Sequence, residues 1–261
     1  MRLISLNTWG GEKFDSLIQY INDSAPHTDI FCFQEILNSC GVEAGDVPYR
    51  LTLMDDIRNT LPEFHGYFNE MLSAKNLTKN GAGDASFGNA IFVRKGIHVV
   101  SSGSFYIFGE RHDCGPHPQR SALAQYATLQ SGRATISVCN VHGIAFWPKF
   151  DSPDRDEQIG NLMNFLRSDA HPKIVCGDFN MLPDTKGIAT IGGILHNLVN
   201  EFGVSVTRSA FHFERYGRAP EVDRVSDYVF VSPEITALNF SVPDLLVSDH
   251  LPMELDFDVR T

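Results

Sequence analysis

The sequence predicts a mixed α/β fold in which mixed β-sheets stack on one another with helices outside. Three observations carry that expectation. Strand-length apolar runs alternate with amphipathic stretches only near the two ends of the chain, giving strand–helix–strand, a long series of strands, then strand–helix–strands. That order favours stacked mixed sheets over a purely parallel βαβ arrangement. The 261 residues are 43% hydrophobic and 20% charged, which supplies a large core. No repeat, low-complexity tract or linker-like composition divides the chain, so one domain over residues 1–261 is expected.

The elements follow in order. Leu3 to Leu6 is a short apolar run that reads as a buried strand ending at Asn7. Phe14, Leu17, Ile18 and Ile21 recur at helical spacing, and Asp29 to Phe33 is the second strand. A helix through Met54, Ile57 and Leu61 leads to an extended stretch from Phe64 to Phe68. A polar, glycine-rich segment from Lys75 to Gly88 precedes the strand Ala90 to Val93. Val99 to Phe108, Leu123 to Leu129 and Thr135 to Val141 read as antiparallel strands. Ser152-Pro153 is a helix start, serine capping and proline in the first turn, with Ile159, Leu162, Met163 and Leu166 as the apolar face. Ile188, Ile191 and Leu195 suggest a helix weakened by Gly192-Gly193. Arg224 to Val231, Thr236 to Val242 and Met253 to Val259 close the chain as strands.

Charge and cysteine usage narrow the function classes. With 32 acidic and 21 basic side chains the net charge is -11, which weighs against tight non-specific binding to duplex nucleic acid. A locally basic cleft or a bound cation remains compatible with it. The five cysteines show no CxxC spacing, and Cys32, Cys139 and Cys176 lie in apolar runs, as reduced buried thiols do. Met1 to Asn7 turns polar too soon for a signal segment, and no run approaches the about 18 apolar residues of a membrane span. A cytoplasmic location, with no obligate protein partner, is the expectation.

Several strands end in chemistry-bearing residues. Ile174-Val175-Cys176 runs into Gly177-Asp178-Phe179-Asn180, and Leu245-Leu246-Val247 into Ser248-Asp249-His250. The second strand ends in Gln34-Glu35, and Ile136 to Val141 ends in His142. Strand ends project side chains into the crevice where open α/β sheets build ligand sites. Carboxylates, amides and histidines together point to metal-assisted chemistry at a phosphate. No Gly-x-Ser-x-Gly elbow supports a serine hydrolase.

These pieces, Asn7, Gln34-Glu35, Asn140-Val141-His142, Gly177-Asp178-Phe179-Asn180, Ser226-Asp227-Tyr228 and Ser248-Asp249-His250, occur in one order along nearly the whole chain. In that order they resemble the endonuclease/exonuclease/phosphatase superfamily, of DNase I-like or exonuclease III-like type. The resemblance implies a four-layer α/β sandwich, two packed mixed sheets flanked by helices. It also implies a divalent-metal-dependent phosphoesterase using Mg²⁺ or Mn²⁺. By resemblance, Glu35 holds the metal with Asn7 and Asp249 as direct or water-mediated helpers. Asp227 orients His250 and favours its charged form; Asp178 and His250 share the activation of water. Asn180 donates a hydrogen bond to the developing phosphorane, and His142 contacts the scissile phosphate or assists the leaving group, unless it is a satisfied core histidine.

Two departures refine this. The repair nucleases of the family often carry an acid two residues beyond the first asparagine, where this chain has Trp9, so one ion rather than two is expected. The Trp-Cys-Asp-Arg signature of the inositol-phosphatase branch is replaced by Arg224-Val225-Ser226-Asp227-Tyr228. Asn140-Val141-His142-Gly143 with Trp147, and Asp151 to Arg155 with Gln158, resemble bacterial-type members. Substrate choice is expected in three loops, Lys75 to Gly88, Gly109 to Gln119 and His212 to Arg224. Arg215 and Arg218, beside Phe213 and Tyr216, could stack a base and neutralise phosphate, and Arg120 could clamp one; a solvated hairpin tip and an ordinary structural role stand beside those readings. The leading expectation is a nuclease or phosphodiesterase on nucleic acid or oligonucleotides. Alternatives are a phosphomonoesterase or a sphingomyelinase-like lipid phosphodiesterase and, of another class, a non-catalytic binding protein, against which the filled core positions argue.

Overall fold

The structure is a computed structural model and describes residues 1–81, 83–112, 121–132, 134–217 and 223–260. Its frame is two six-stranded mixed sheets. The first contains β1 (Arg2–Asn7), β2 (Ile30–Ser39), β3 (Phe64–Ser73), β4 (Ala85–Arg94), β11 (Ile235–Ser241) and β12 (Met253–Val259) in the order β11-β12-β1-β2-β4-β3. The second contains β5 (His98–Phe108), β6 (Ala122–Ser131), β7 (Ala134–His142), β8 (Lys173–Asp178), β9 (His196–Asn197) and β10 (Asp227–Val231) in the order β5-β6-β7-β8-β10-β9. Each sheet has one parallel pair, β1 with β2 and β7 with β8, and both pairs are joined through a helix, as parallel strands require.

The period of two along the strands explains the layers. Leu3, Ile30, Cys32, Ile91 and Val93 point inward and pack with Ala124, Val138, Ile174 and Cys176 of the opposite sheet. Their neighbours Ile4, Leu6, Phe31, Phe33 and Phe92 point outward, onto Leu17 and Ile21 of α1 (Phe14–Ser24) and Leu53, Met54 and Ile57 of α2 (Leu53–Thr60). On the far side, Ile159, Leu162, Met163 and Leu166 of α3 (Pro153–Ser168) and Ile188 and Ile191 of α4 (Lys186–Gly192) cover the second sheet. Helix, sheet, sheet, helix is the four-layer sandwich expected.

Most elements match the sequence reading. Ser152 caps α3 by accepting a hydrogen bond from the Arg155 amide, and Pro153 opens it. Helix α4 stops at the Gly192-Gly193 pair. Cys32, Cys139 and Cys176 are buried and free. Among the described residues no helix is long and apolar enough to cross a membrane. Four expectations need correction. Leu245 to Val247, read as a strand, lies outside every strand, with Leu245 and Leu246 exposed, and β2 does not end at Glu35 but runs on to Ser39. β4 begins at Ala85, inside the stretch read as a polar loop, because Gly88 lets the chain pass within touching distance of the Asn69 carbonyl of β3. The segment from His212, read as a loop, lies in α6 (Ala210–Tyr216), which follows the short α5 (Leu198–Glu201). Ser209 precedes α6, and Gly217 ends it in the left-handed conformation.

Candidate active site

Backbone register brings the strand ends together. Asp178 ends β8 opposite His142 of parallel β7 and opposite Asp227 of antiparallel β10. Asn7 ends β1 opposite Gln34, one residue before Glu35. An isolated bridge pairs His250 with Arg208. Gly177 makes the approach of β7 and β8 possible: at φ +130 it lies so close to Val141 that a Cβ would stand 2.1 Å from the Val141 carbonyl oxygen.

Asn7 links the two halves of the site. Its Nδ2 donates to Glu35 Oε1 (3.0 Å) and to Asp178 Oδ2 (3.3 Å), and its Oδ1 accepts from the Trp9 amide (3.0 Å). Asp178 is also held by Asn180, whose amide N–H donates to Oδ1 (2.9 Å) and whose Nδ2 donates to Oδ2 (3.1 Å). His250 Nδ1 stands 2.7 Å from Asp227 Oδ1, and Asp227 Oδ2 accepts from Thr207 (2.8 Å) and Ser226 (3.1 Å). The other ring nitrogen of His250 faces Asp178 Oδ2 at 3.5 Å and Asp249 Oδ1 at 3.8 Å. Ser248 Oγ donates to the Asn7 carbonyl (2.7 Å), which fixes the Ser248-Asp249-His250 turn against β1.

The local charges set the protonation states. Burial and the Arg208 charge oppose protonation of His250, but Asp227, Asp249 and Asp178 outweigh them and raise its pKa above the usual histidine value. Burial also opposes ionisation of Asp178, yet Arg208, His250 and Lys149 hold its carboxyl well below the ordinary range. Glu35 differs. Burial, then the charge of Asp249, pushes its pKa up to about 7, because the Asn7 hydrogen bond and His250 compensate only in part. Burial lowers the pKa of His142 to about 4, so its ring is neutral; neither nitrogen has a hydrogen-bond partner among the described residues, and Nε2 lies 3.7 Å from Glu35.

A model of the Endonuclease/Exonuclease/phosphatase family matches residues 4–250. The chain belongs to that family. No curated protein matches the sequence significantly. Solved structures with the same fold include an endonuclease/exonuclease/phosphatase from Bacteroides vulgatus (20% identity, TM-score 0.69, 99% of this chain and 98% of that one). A mannosyl-6-phosphatase from Bacteroides thetaiotaomicron is 16% identical with a TM-score of 0.70, covering 99% of both chains. The human Nocturnin catalytic domain with bound sulfate is 18% identical with a TM-score of 0.64, covering 99% of this chain and 93% of that one. Membership in the endonuclease/exonuclease/phosphatase family makes this a phosphoester-hydrolase fold; the neighbours, at these identities, speak to fold alone.

Within this family member the structure brings together Asn7, Glu35, Asp178, Asn180, Asp227, Asp249 and His250, and sets His142 beside Glu35. Arg120 and Arg218 lie outside the described residues. Arg215 stays outside the cluster, half exposed on α6, 3.8 Å from Glu12 and over the Trp9 ring. The sequence reading missed three groups. Arg208, 95% buried, places Nη2 3.5 Å from Asp178 Oδ2 and Nη1 3.7 Å from Asp249 Oδ2, with Nη1 against His250. Lys149 donates to Asp223 (2.9 Å), and burial, then the Arg208 charge, lowers its pKa to about 8. His212 stands between Asp223 (3.0 Å) and Asp249 (3.5 Å).

The donor set suits a hard divalent cation. Glu35 sits beside two other carboxylates, and among the described residues no lysine or arginine reaches it, so its charge is left uncompensated. Oxygen donors of this kind suit Mg²⁺ or Mn²⁺, which bind through one or two carboxylates and keep several waters. A second group of ligand atoms, on Asp178, Asp227 and His250, lies within 4.8 Å of one another. There, however, Asp227 and His250 are engaged with each other and Arg208 already supplies a cation.

Proposed function

We propose that this protein is a divalent-metal-dependent phosphodiesterase acting on nucleic-acid or nucleotide phosphodiesters. The observation that carries the reading is the bridge made by Asn7, which ties the uncompensated Glu35 carboxylate to Asp178 beside the Asp227–His250 pair. Glu35, helped by Asn7 and Asp249, would hold the ion. When bound, the ion would neutralise phosphoryl charge and lower the pKa of water.

The chain's own groups account for the rest. Asp178, kept ionised and fixed by two hydrogen bonds from Asn180, aligns the attacking water and accepts its proton, while charged His250 gives one to the leaving oxygen. Asp227 fixes the imidazole through Nδ1, so the nitrogen facing Asp178 is the one that moves the proton. Arg208 offers a donor to the phosphoryl oxygens, Asn180 Nδ2 being taken up by Asp178 and the Gly143 carbonyl, and neutral His142 offers a ring N–H on the Glu35 side.

A second reading, phosphomonoester hydrolysis, is favoured by depth: Asp178, Asp227, Asp249 and His250 are all at most 3% exposed, which suits a small ester entering a narrow site. The mannosyl-6-phosphatase of the same fold is compatible with it. The test is hydrolysis of single- and double-stranded DNA, RNA, sphingomyelin, sugar and inositol phosphates and bis-p-nitrophenyl phosphate, with Mg²⁺, Mn²⁺ or EDTA. Metal-dependent cleavage of the diesters is expected, with Glu35→Ala slower by on the order of 10²-fold or more. Cleavage of monoesters alone would replace the substrate and keep the mechanism, and full activity in EDTA would remove the metal.

A further inference from the structure

We infer that Arg208 is a built-in cation that takes the place of a second metal ion, so that the site holds one divalent ion, at Glu35. The inference rests on the metal-dependent reading above. Its basis is position. The guanidinium contacts the two acids that flank His250, at 3.5 Å from Asp178 and 3.7 Å from Asp249, and it lies against the imidazole nitrogen that faces both. Asp178, Asp227 and His250 carry ligand atoms within 4.8 Å of one another, a spacing that a metal ion can use. In this chain the protein's own cation meets two members of that group directly.

Chain geometry holds the cation there. Arg208 is registered to His250 by a backbone bridge: the Ser209 amide donates to the Asp249 carbonyl (2.9 Å), and the Leu251 amide donates to the Thr207 carbonyl (2.8 Å). Thr207, next to it, donates to Asp227. That pairing sets the Arg208 main chain beside His250, and the guanidinium itself is held by Asp178, Asp249 and the imidazole. An arginine suits this place better than a lysine, because its planar fork reaches several carboxylates at once and it does not lose its proton. Two residues after Asn7 stands Trp9, whose ring meets Arg215 and Phe211 and presents no ligand oxygen. Both observations point to one ion.

The division of labour is electrostatic. Glu35 has no cation among the described residues and awaits one from solution; Asp178 and Asp249 already have Arg208. Two divalent ions and a guanidinium in one buried pocket would repel one another with little solvent to screen them. Arg208 Nε, buried and without a hydrogen-bond partner among the described residues, leaves one donor for a substrate oxygen.

The experiment is a Mn²⁺ titration read by EPR of the free ion and, at saturation, by spin coupling between bound ions. Wild type, Arg208→Ala, Arg208→Lys and Glu35→Gln would be compared, with circular dichroism confirming the fold. One ion per wild-type chain is expected, weakened on the order of 10–100-fold or more in Glu35→Gln. Arg208→Ala should take up two ions with a coupled spectrum, and the second should persist in the Arg208→Ala/Glu35→Gln double variant. Arg208→Lys, which keeps a positive charge, should return to one. Two ions on the wild type overturn the inference without any variant, so it stays testable if Arg208→Ala does not fold. One ion on folded Arg208→Ala overturns it while leaving the metal-dependent reading standing; no ion on either protein removes both.

Discussion

Glu35, the proposed metal ligand, is costly to the fold. Burial and Asp249 raise its folded pKa to about 7, well above the usual glutamate value. The sign follows from linkage. A carboxyl with a raised folded pKa binds its proton more tightly in the folded chain, so the stability it contributes is fully present below the unfolded value and is lost as pH rises through about 7. Glu35→Gln should therefore match the wild type in urea midpoint below about pH 4.5 in EDTA, exceed it increasingly as pH rises to about 7, and keep a constant advantage above that. A difference independent of pH would mean that Glu35 ionises freely. Saturating Mn²⁺ should reverse the ranking, because an ion that binds the folded chain alone stabilises it.

Strand ends were readable at the scale of elements. Asp178 and His142 each stand where an apolar strand ends, and the alternation that buries Leu3 and turns Ile4 to a helix also fixes which way the terminal side chain points, whereas Glu35 sits at a register break inside β2 and Asp249 in a turn that follows no strand. Arg208 had no such signal, because its place depends on pairing with His250, 42 residues away. Lys149 was hidden for a similar reason. Its loop is shaped by Arg155, whose guanidinium donates to the carbonyls of Ile144 (3.2 Å), Phe146 (2.7 Å) and Pro148 (3.3 Å). A clue was present: Arg155 lies on the same stripe as Ile159, Leu162 and Leu166, an odd place for a solvated arginine. Helix α6 also carried signals, Ser209 before it and Gly217 after it, that the aromatic and basic content of the segment overshadowed. The contact between β7 and β8 gives a direct test. Gly177→Ala should lower stability by about 3 kcal/mol or more, since it combines a backbone conformation disfavoured for L-residues with a collision against the Val141 carbonyl. A loss under about 1 kcal/mol in denaturant unfolding would mean that the two strands can part without disturbing the core.

For the whole molecule, the architecture followed from composition and element order, while the substrate did not, because the loops expected to choose it have the weakest apolar patterning. Charge still constrains it. The net charge of -11 surrounds a site whose described cations, Arg208 and Lys149, are buried and already paired. A protein with six to ten phosphate contacts loses about 10³–10⁵ in duplex affinity between 50 and 200 mM salt. This one is expected to lose less than about 10-fold over that range, and to prefer short single-stranded oligonucleotides to duplex polymer. A slope as steep as that of a dedicated duplex binder, measured by anisotropy with Glu35→Gln in Mg²⁺, would reveal a basic track that the described residues do not contain.

Glu35 also adopts a left-handed backbone, φ 59, where β2 breaks register between Phe33 and Ile36. Such a torsion is natural for glycine and costs other residues on the order of 1 kcal/mol or more. Evolution under heat alone would thus have a standing incentive to erase this residue, since glycine would relax the main chain and remove a half-buried carboxylate that no lysine or arginine among the described residues pairs. If Glu35 holds the ion as proposed, stabilised descendants of this scaffold should be sought among proteins that have given up catalysis.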